Sequence, residues 1–451
     1  MKEQNNWWNL PVVSDAQIID SVLEIVEETA EDLPVIEEVT VPNTLSDLGI
    51  ALNDLKLVQN LDWAKWNVNG ITLDPKVYLL IQSQNPADAA SKLGLQFDDG
   101  KTNLVLETSG LNRAELKKLS NLGHISIASE SHIQLTLDYK DLAKLYSIDG
   151  ITKIRAPFVP EQFSESTDLG IVSIDDDFVA QNSGKNIRVA VIDMAFDLDN
   201  QKITSKVVDS KSFRYGTDNS AIALNGLGSE RIHGTAVAEL VVDTAPDSNL
   251  FLYTMGNDLE FVEALNEAMA NDVDVVVIPL GWPDLPTDGT SHITQVVSEF
   301  TESGIITILP AGNYGQRHWE SSFADTNANG WNEFSELDEG LSFTVTQERI
   351  QQNIPIKVNL LWENHDDVYD FDTVLLDSAN NILEYSANPQ ETKHDKAYEQ
   401  IFYYPTEPGT YAIGVMYDGD DIPDTTLEIF SINDELEHIT TAGSGTVPTD
   451  A

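Results

Sequence analysis

Four apolar stretches, NIRVAVID, NLFLYTM, VDVVVIPLG and GIITILPAGN, recur between residues 186 and 313. They constrain the fold more than any other feature. A strand that is apolar without alternation is buried on both faces, and strands separated by helical patterns close as a parallel sheet with crossovers. Between the last two, Ile293, Val296, Val297 and Phe300 recur at helical spacing, with Gly304 beyond them as a C-cap. The central expectation is therefore an α/β unit with helices on both faces of a parallel sheet.

The flanking patterns differ. Residues 74–158 alternate short strands (KVYLLIQ, NLVLETS, HIQLTLD, ITKIRAP) with short helices (PADAASKLG, RAELKKLSNLG, YKDLAKLYSIDG), which predicts a small α+β domain. Residues 159–167 read as a polar linker and 168–320 as the parallel-sheet domain. In 321–438, six strand patterns (SFTVTQ, IPIKVNLLWE, DFDTVLLD, QIFYYP, GTYAIGVMYD, TLEIFSI) are set off by Gly, Pro, Asn and Asp, which predicts an all-β sandwich. Residues 1–73 open with eleven acidic residues against one Lys in the first fifty and read as a flexible acidic segment.

Charge and composition exclude several functions. With 75 acidic and 25 basic residues the formal charge is −50, which argues against nucleic acid as a partner. Residues 321–438 alone hold 25 acidic and four basic residues, so the sandwich surface is strongly negative. There is no cysteine, hence no disulfide, no thiolate metal site and no thiol nucleophile. No apolar run reaches the ~18 residues of a membrane helix. The composition fits an extracellular or cell-surface setting, although MKEQNNWWNLPVVSD lacks the apolar core of a signal peptide.

Three residues fall where chemistry is done in such a sheet. Asp193 ends RVAVID, His233 opens a helical run in RIHGTAVAEL, and Asn313 ends TILPAGN. Taken singly, each has a plain structural reading: a strand-end Asp, a capping or core His, an Asn in a turn. Together they suit acyl transfer. The Asp orients the imidazole, the His shuttles a proton, and the Asn amide donates to an oxyanion.

Their order and flanks change the odds. VAVIDMAFD, HGTAVAELVVDTAPDSNLFLY, VDVVVIPLG and ILPAGN resemble, in sequence, the aspartate, histidine, substrate-cleft and oxyanion motifs of the subtilisin-like serine proteases. The resemblance covers residues 168–318. It implies a subtilisin-like parallel sheet, triad roles for Asp193 and His233, oxyanion donation by Asn313, and Leu280 and Gly281 lining the cleft. It also implies that 74–158 is a propeptide-like domain acting in cis, with protein or peptide substrates as the other partners. Two departures stand out. Met194-Ala195 replaces the usual hydroxyl residue and Gly after the aspartate, and Pro279 and Trp282-Pro283 interrupt the cleft motif.

The nucleophile of that family is expected in a Gly-Thr-Ser motif after the asparagine. The one Gly-Thr-Ser here, at Ser291, precedes Asn313 and reads as a helix cap. Ser444, in AGSGTVPTDA, lies in a stretch that resembles a strand-and-turn well ahead of the nucleophile. IKVNLLWENHDDVYDFDTVLLDSANNIL resembles the pre-peptidase C-terminal type of sandwich. These resemblances imply that the sandwich is an insertion and that 439–451 returns into the catalytic domain. The expectation is that the chain then ends before its serine and is inactive alone.

The expected chemistry requires no cofactor. Asp366, Asp367, Asp370 and Asp372 are hard oxygen ligands close in sequence, but without a Glu at EF-hand spacing. A calcium site there competes with a plain solvated acidic loop, which is the favoured reading. Two further functions compete with a protease: a non-catalytic binding or scaffold protein on a degenerate protease fold, and a metal-dependent hydrolase. The latter is disfavoured because no second His stands at ligand spacing from His233.

Overall fold

The computed structural model describes residues 67–68, 70–82, 85–93, 95–162, 176–214, 229–363, 368–388, 390, 397–417, 419, 422–449 and 451. Most of the expected acidic N-terminal segment lies outside them.

The first domain is one sheet covered on one side. Strands β1 (Asn67–Val68), β2 (Ile71–Leu73), β3 (Phe97–Asp98), β4 (Lys101–Thr108), β5 (Gly123–Ala128), β6 (His132–Asp138) and β7 (Ile151–Arg155) run in the order β1-β2-β7-β4-β6-β5, with β3 on β4. Leu104 and Leu106 of β4 and Ile133 and Leu135 of β6 pack against Val77, Leu80, Leu119 and Leu142 from the covering helices. The opposite face carries Asn103, Val105, Gln134 and Thr136, all buried. The domain differs from expectation at several points. KVYLLIQ, expected as a strand, lies in the helix Pro75–Gln82, whose Val77 and Leu80 are covered by the sheet. The sheet includes strands before residue 74 and the unpredicted β5, and Tyr139–Ser147 is a 3-10 helix.

After β8 (Glu161–Gln162) comes the parallel sheet. Strands β9 (Arg188–Asp193), β10 (Val207–Ser212), β11 (Asn249–Thr254), β12 (Val275–Val277) and β14 (Ile306–Ile308) take the order β10-β11-β9-β12-β14, every pair parallel. β9 lies at the centre, which explains its unbroken apolar run. Ala190 and Ile192 join a core with Phe261, Leu265, Ile293 and Phe300, while Val189 and Val191 join another with Val237 and Ala238. Between β12 and β14, β13 (Leu280–Gly281) leaves the sheet and pairs antiparallel with β8. Among the described residues no helix is long and apolar enough to cross a membrane.

The inserted unit is a sandwich of two antiparallel sheets. β15 (His318–Ser322), β16 (Leu341–Val345), β17 (Ile356–Trp362), β18 (Phe371–Asp377), β19 (Ile382–Ser386), β20 (Tyr398–Tyr403), β21 (Gly409–Tyr417) and β22 (Thr426–Ser431) divide as β15-β22-β17-β20 and β16-β21-β18-β19. Trp319, Trp362, Phe343, Phe371, Leu375 and Ile429 fill the space between them. The sandwich begins with β15, which opens at His318, ahead of the expected residue 321. Past β22 the chain comes back: Trp282 N donates to Val447 O at 2.8 Å, and Val447 sits in the parallel-sheet core.

Candidate active site

β9 carries Asp193 to the carboxyl edge of the sheet, where the helix Ser229–Thr244 brings His233 against it. His233 Nδ1 donates to Asp193 Oδ2 at 2.7 Å, and both side chains are buried. The other ring nitrogen, Nε2, is buried without a hydrogen-bond partner among the described residues. With the Nδ1 proton committed to the carboxylate, the lone pair of a neutral ring lies on Nε2, the state a general base requires.

The residues after His233 serve this contact. A Cβ on Gly234 would collide with Ala195 O and lie 3.1 Å from Asp193 Cβ and Cγ, so only glycine lets the helix approach so closely. Thr235 Oγ1 donates to Arg231 O at 2.6 Å and accepts from Asp197 N at 2.8 Å, pinning the turn after β9 to the helix. Met194-Ala195 does not displace the aspartate. Met194 N donates to Asp193 Oδ1 at 2.6 Å, and Ala195 is fully buried under the helix. Burial pushes the Asp193 carboxyl above the ordinary carboxylate range, although bonds from His233, Gln162 and Met194 pull it back.

β13 lies beside this pair, and the chain itself occupies it. Gln162 pairs with Leu280 and Glu161 with Gly281. Gln162 Nε2 donates to Asp193 Oδ1 at 2.7 Å and to Glu230 O at 3.2 Å. The stretch expected to be a polar linker is thus, at Glu161–Gln162, a strand paired with β13. The Trp282-Pro283 departure anchors the same segment: fully buried Trp282 packs in a tilted contact against Phe261 and donates from Nε1 to Phe158 O at 3.3 Å. Upstream, Arg155 Nη2 meets Asp258 Oδ2 at 2.7 Å, and Phe158 N donates to Asp258 Oδ1 at 2.9 Å. Gln134 Nε2 of the small domain donates to Glu260 Oε1 at 2.8 Å.

Asn313 is not brought to the pair by any contact among the described residues. It is exposed in the loop after β14, beside Gly312, whose positive φ of 87° faces Ser444 O. Ser291 caps the helix His292–Glu302 through a bond from Thr294 N at 3.0 Å. Ser444 is half-buried opposite the Asn313 loop.

Of the acidic run in the insert, Asp366 and Asp367 lie outside the described residues. Asp372 is buried within β18, and Asp370 Oδ1 accepts from Gln390 N at 3.2 Å. Among the described residues, the ion-sized groupings are His318 with Glu320 and Glu428, and Asp338 with Glu437 and His438; neither contains Asp370 or Asp372. The sequence reading also missed Gln162, Gly234 and Thr235. HGT carries the last two openly, whereas a two-residue strand such as Glu161–Gln162 has no periodicity to find.

No family model matches the chain. It is 23% identical over 205 residues to the major intracellular serine protease of Bacillus subtilis (strain 168), a match covering 39% of this chain and 62% of that protein. Among solved structures it is similar to the epidermin leader peptide processing serine protease of Staphylococcus aureus, at 15% identity and a TM-score of 0.33, over 49% of this chain and 62% of that one. It is also similar to fervidolysin from Fervidobacterium pennivorans, a keratinolytic enzyme related to subtilisin, at 12% identity and a TM-score of 0.29, over 76% and 78%. The chain thus spans less than two thirds of the length of the first two. The sheet observed here is parallel with helices packed on it, and the first two of these relatives are serine proteases by name.

Proposed function

We propose that the chain carries the base and its orienting carboxylate of a subtilisin-like serine endopeptidase. The observation that carries this reading is the Asp193–His233 contact, with no hydrogen-bond partner for His233 Nε2 among the described residues, beside a strand that already holds an extended peptide segment. In this reading a serine hydroxyl approaches Nε2 and gives up its proton as oxygen attacks the peptide carbonyl. His233 then returns the proton to the leaving amine, while Asp193 stabilises the imidazolium. Asn313 donates to the oxyanion once its loop closes over a substrate. The small domain acts as a cis-acting propeptide, a role supported by its tail lying on β13.

No serine among the described residues bonds Nε2. The exposed place of Asn313 favours, as a second reading, a binding protein built on the same fold. A fluorophosphonate probe and a broad peptide substrate separate the two. They are applied to the 451-residue chain and to the longest product of its gene. The protease reading expects a single serine, other than Ser291 and Ser444, to be labelled. It also expects His233→Ala to abolish turnover, since loss of the histidine alone costs about 10⁶ in subtilisin. Labelling of Ser291 or Ser444, or silence in every form, sinks it.

A further inference from the structure

The peptide segment in the cleft is read from two sides, and one side belongs to the insertion. Adjacent residues of a strand point in opposite directions. Gln162 turns to Asp193, and Glu161 turns away to meet Lys357 Nζ from β17 of the sandwich. The two partners are 196 positions apart in sequence, and both are mostly buried. Lys357 is one of only four basic residues in 321–438, so a cation here is not a random draw from a cationic surface.

The surroundings hold that cation in place. Lys357 O accepts from Ile432 N at 2.9 Å, and its strand neighbour Asn359 donates from Nδ2 to Pro283 O, at 3.2 Å, just beyond β13. β17 is therefore tied to the cleft strand. Burial disfavours the Lys357 charge, but Glu161, with Asp284 behind it, more than compensates and holds the ammonium protonated. Tyr314 and Asp284 face Glu161 and Lys357 from the parallel-sheet domain. Lys76 faces them from the small domain, with its Nζ donating to Gln400 Oε1 at 2.6 Å.

We propose that Lys357 is a specificity residue of the cleft. It selects peptide segments that lie antiparallel on β13 with a carboxylate side chain opposite Gly281, one residue before the side chain that reaches Asp193. This rests on reading β13 as the strand that receives peptide substrates. On that basis the sandwich is a wall of the cleft, and the preferred ligands are extended acidic peptides of which the chain's own tail is one.

Charge exchange in the full chain tests the proposal. Amide exchange by mass spectrometry reports how often the 159–162 segment leaves β13. Glu161→Lys and Lys357→Glu should each speed exchange there by about tenfold or more, because each leaves a buried charge facing its like. The double variant should restore protection, which loss of packing alone would not do. Glu161 lies in the tail, outside the three domain cores, so its variant keeps the test decisive even if Lys357→Glu misfolds by near-UV circular dichroism.

A second arm uses the Glu161→Lys chain as receptor for synthetic VPEQ and VPKQ peptides. VPEQ should bind about tenfold more tightly. Unchanged exchange in Glu161→Lys, additive single effects, or equal or absent binding of the two peptides overturns the proposal. Absence of fluorophosphonate labelling would instead remove the protease reading and leave the charge exchange standing.

Discussion

Gln162 Nε2 lies 2.7 Å from Asp193 Oδ1, the carboxylate oxygen that His233 does not use. The segment on β13 therefore completes the coordination of the carboxylate that holds the His233 ring. Asp193 has its two oxygens engaged by a ring nitrogen, a backbone amide and a side-chain amide, and still titrates high because it is fully buried. A buried charge with three donors remains costlier than a neutral group in the same place.

That cost has a sign. The folded pKa of Asp193 is raised, so its contribution to stability is present below the unfolded value, near 3.9, and is lost as pH rises through the folded value. At neutral pH the charge destabilises. Asp193→Asn should leave the melting midpoint unchanged at acid pH and raise it at pH 8 by roughly 2–4 °C, about 1 kcal/mol for a unit of this size. A midpoint that falls at pH 8 would show that the bond to His233 outweighs the burial cost.

The opposite sign holds at Asp258. Burial would raise its pKa, but Arg155 and His292 press it well below the ordinary carboxylate range. Its stabilisation is thus fully present above the unfolded value and is lost only as pH falls far into the acid. Arg155 is buried too, and also bonds Glu107 at 3.0 Å and Ala156 O at 3.1 Å. Asp258→Ala should cost about 3–5 kcal/mol in urea unfolding, since it strands a buried guanidinium. Replacing both partners together, Arg155→Met with Asp258→Leu, should cost far less. Equal losses in the single and double variants would contradict a buried pair.

In the sandwich, Glu399 is fully buried and its carboxyl is pushed well above the ordinary range. Burial is the main cause and Asp372 adds to it, against bonds from Ser386, Gln390 and Asn388. Its contribution is present below the unfolded value and declines as pH rises through the folded one. Glu399→Gln should therefore stabilise the sandwich at pH 8 and leave it unchanged near pH 4. Tryptophan fluorescence during urea unfolding reads this directly, because Trp319 and Trp362 sit in that core. Parallel pH profiles for the two proteins would count against it.

What the sequence made legible follows from burial. β9 is apolar at every interior position because its two faces meet two cores, so its run identified a central parallel strand. The apolar, Gly-bounded strands of the sandwich were equally plain, although β19, with exposed Ile382 and Tyr385, gave no apolar face to find. His233 and Asp193 were legible because their flanks, VAVIDMAFD and HGTAVAEL, and their order resemble the motifs of one family. β8 was not, because a two-residue strand exists only through its partner, Leu280–Gly281. Lys357 reads in sequence as an outward position on an alternating strand. Only the packing of the insertion against the cleft gives its charge a target.

Gly234 offers the sharpest test of how the pair is built. The helix bearing His233 approaches β9 so closely that a methyl at Gly234 would run into Ala195 O and lie 3.1 Å from two atoms of Asp193. Neither neighbour can give way. Ala195 is fully buried under the helix, and the turn that holds its carbonyl is pinned by Thr235 to Asp197. Gly234→Ala must therefore push the helix outward and stretch the 2.7 Å contact between His233 Nδ1 and Asp193 Oδ2. The cost should be about 1–3 kcal/mol of overpacking, despite the better helix propensity of alanine. The low-field proton resonance of a histidine Nδ1–H bonded to a carboxylate should weaken or vanish. As a control, Ser291→Ala removes only the cap of a helix elsewhere and should cost about 1 kcal/mol with that resonance intact. A Gly234→Ala protein that keeps both its stability and the resonance would mean that the close approach of helix and strand is not what sets the pair.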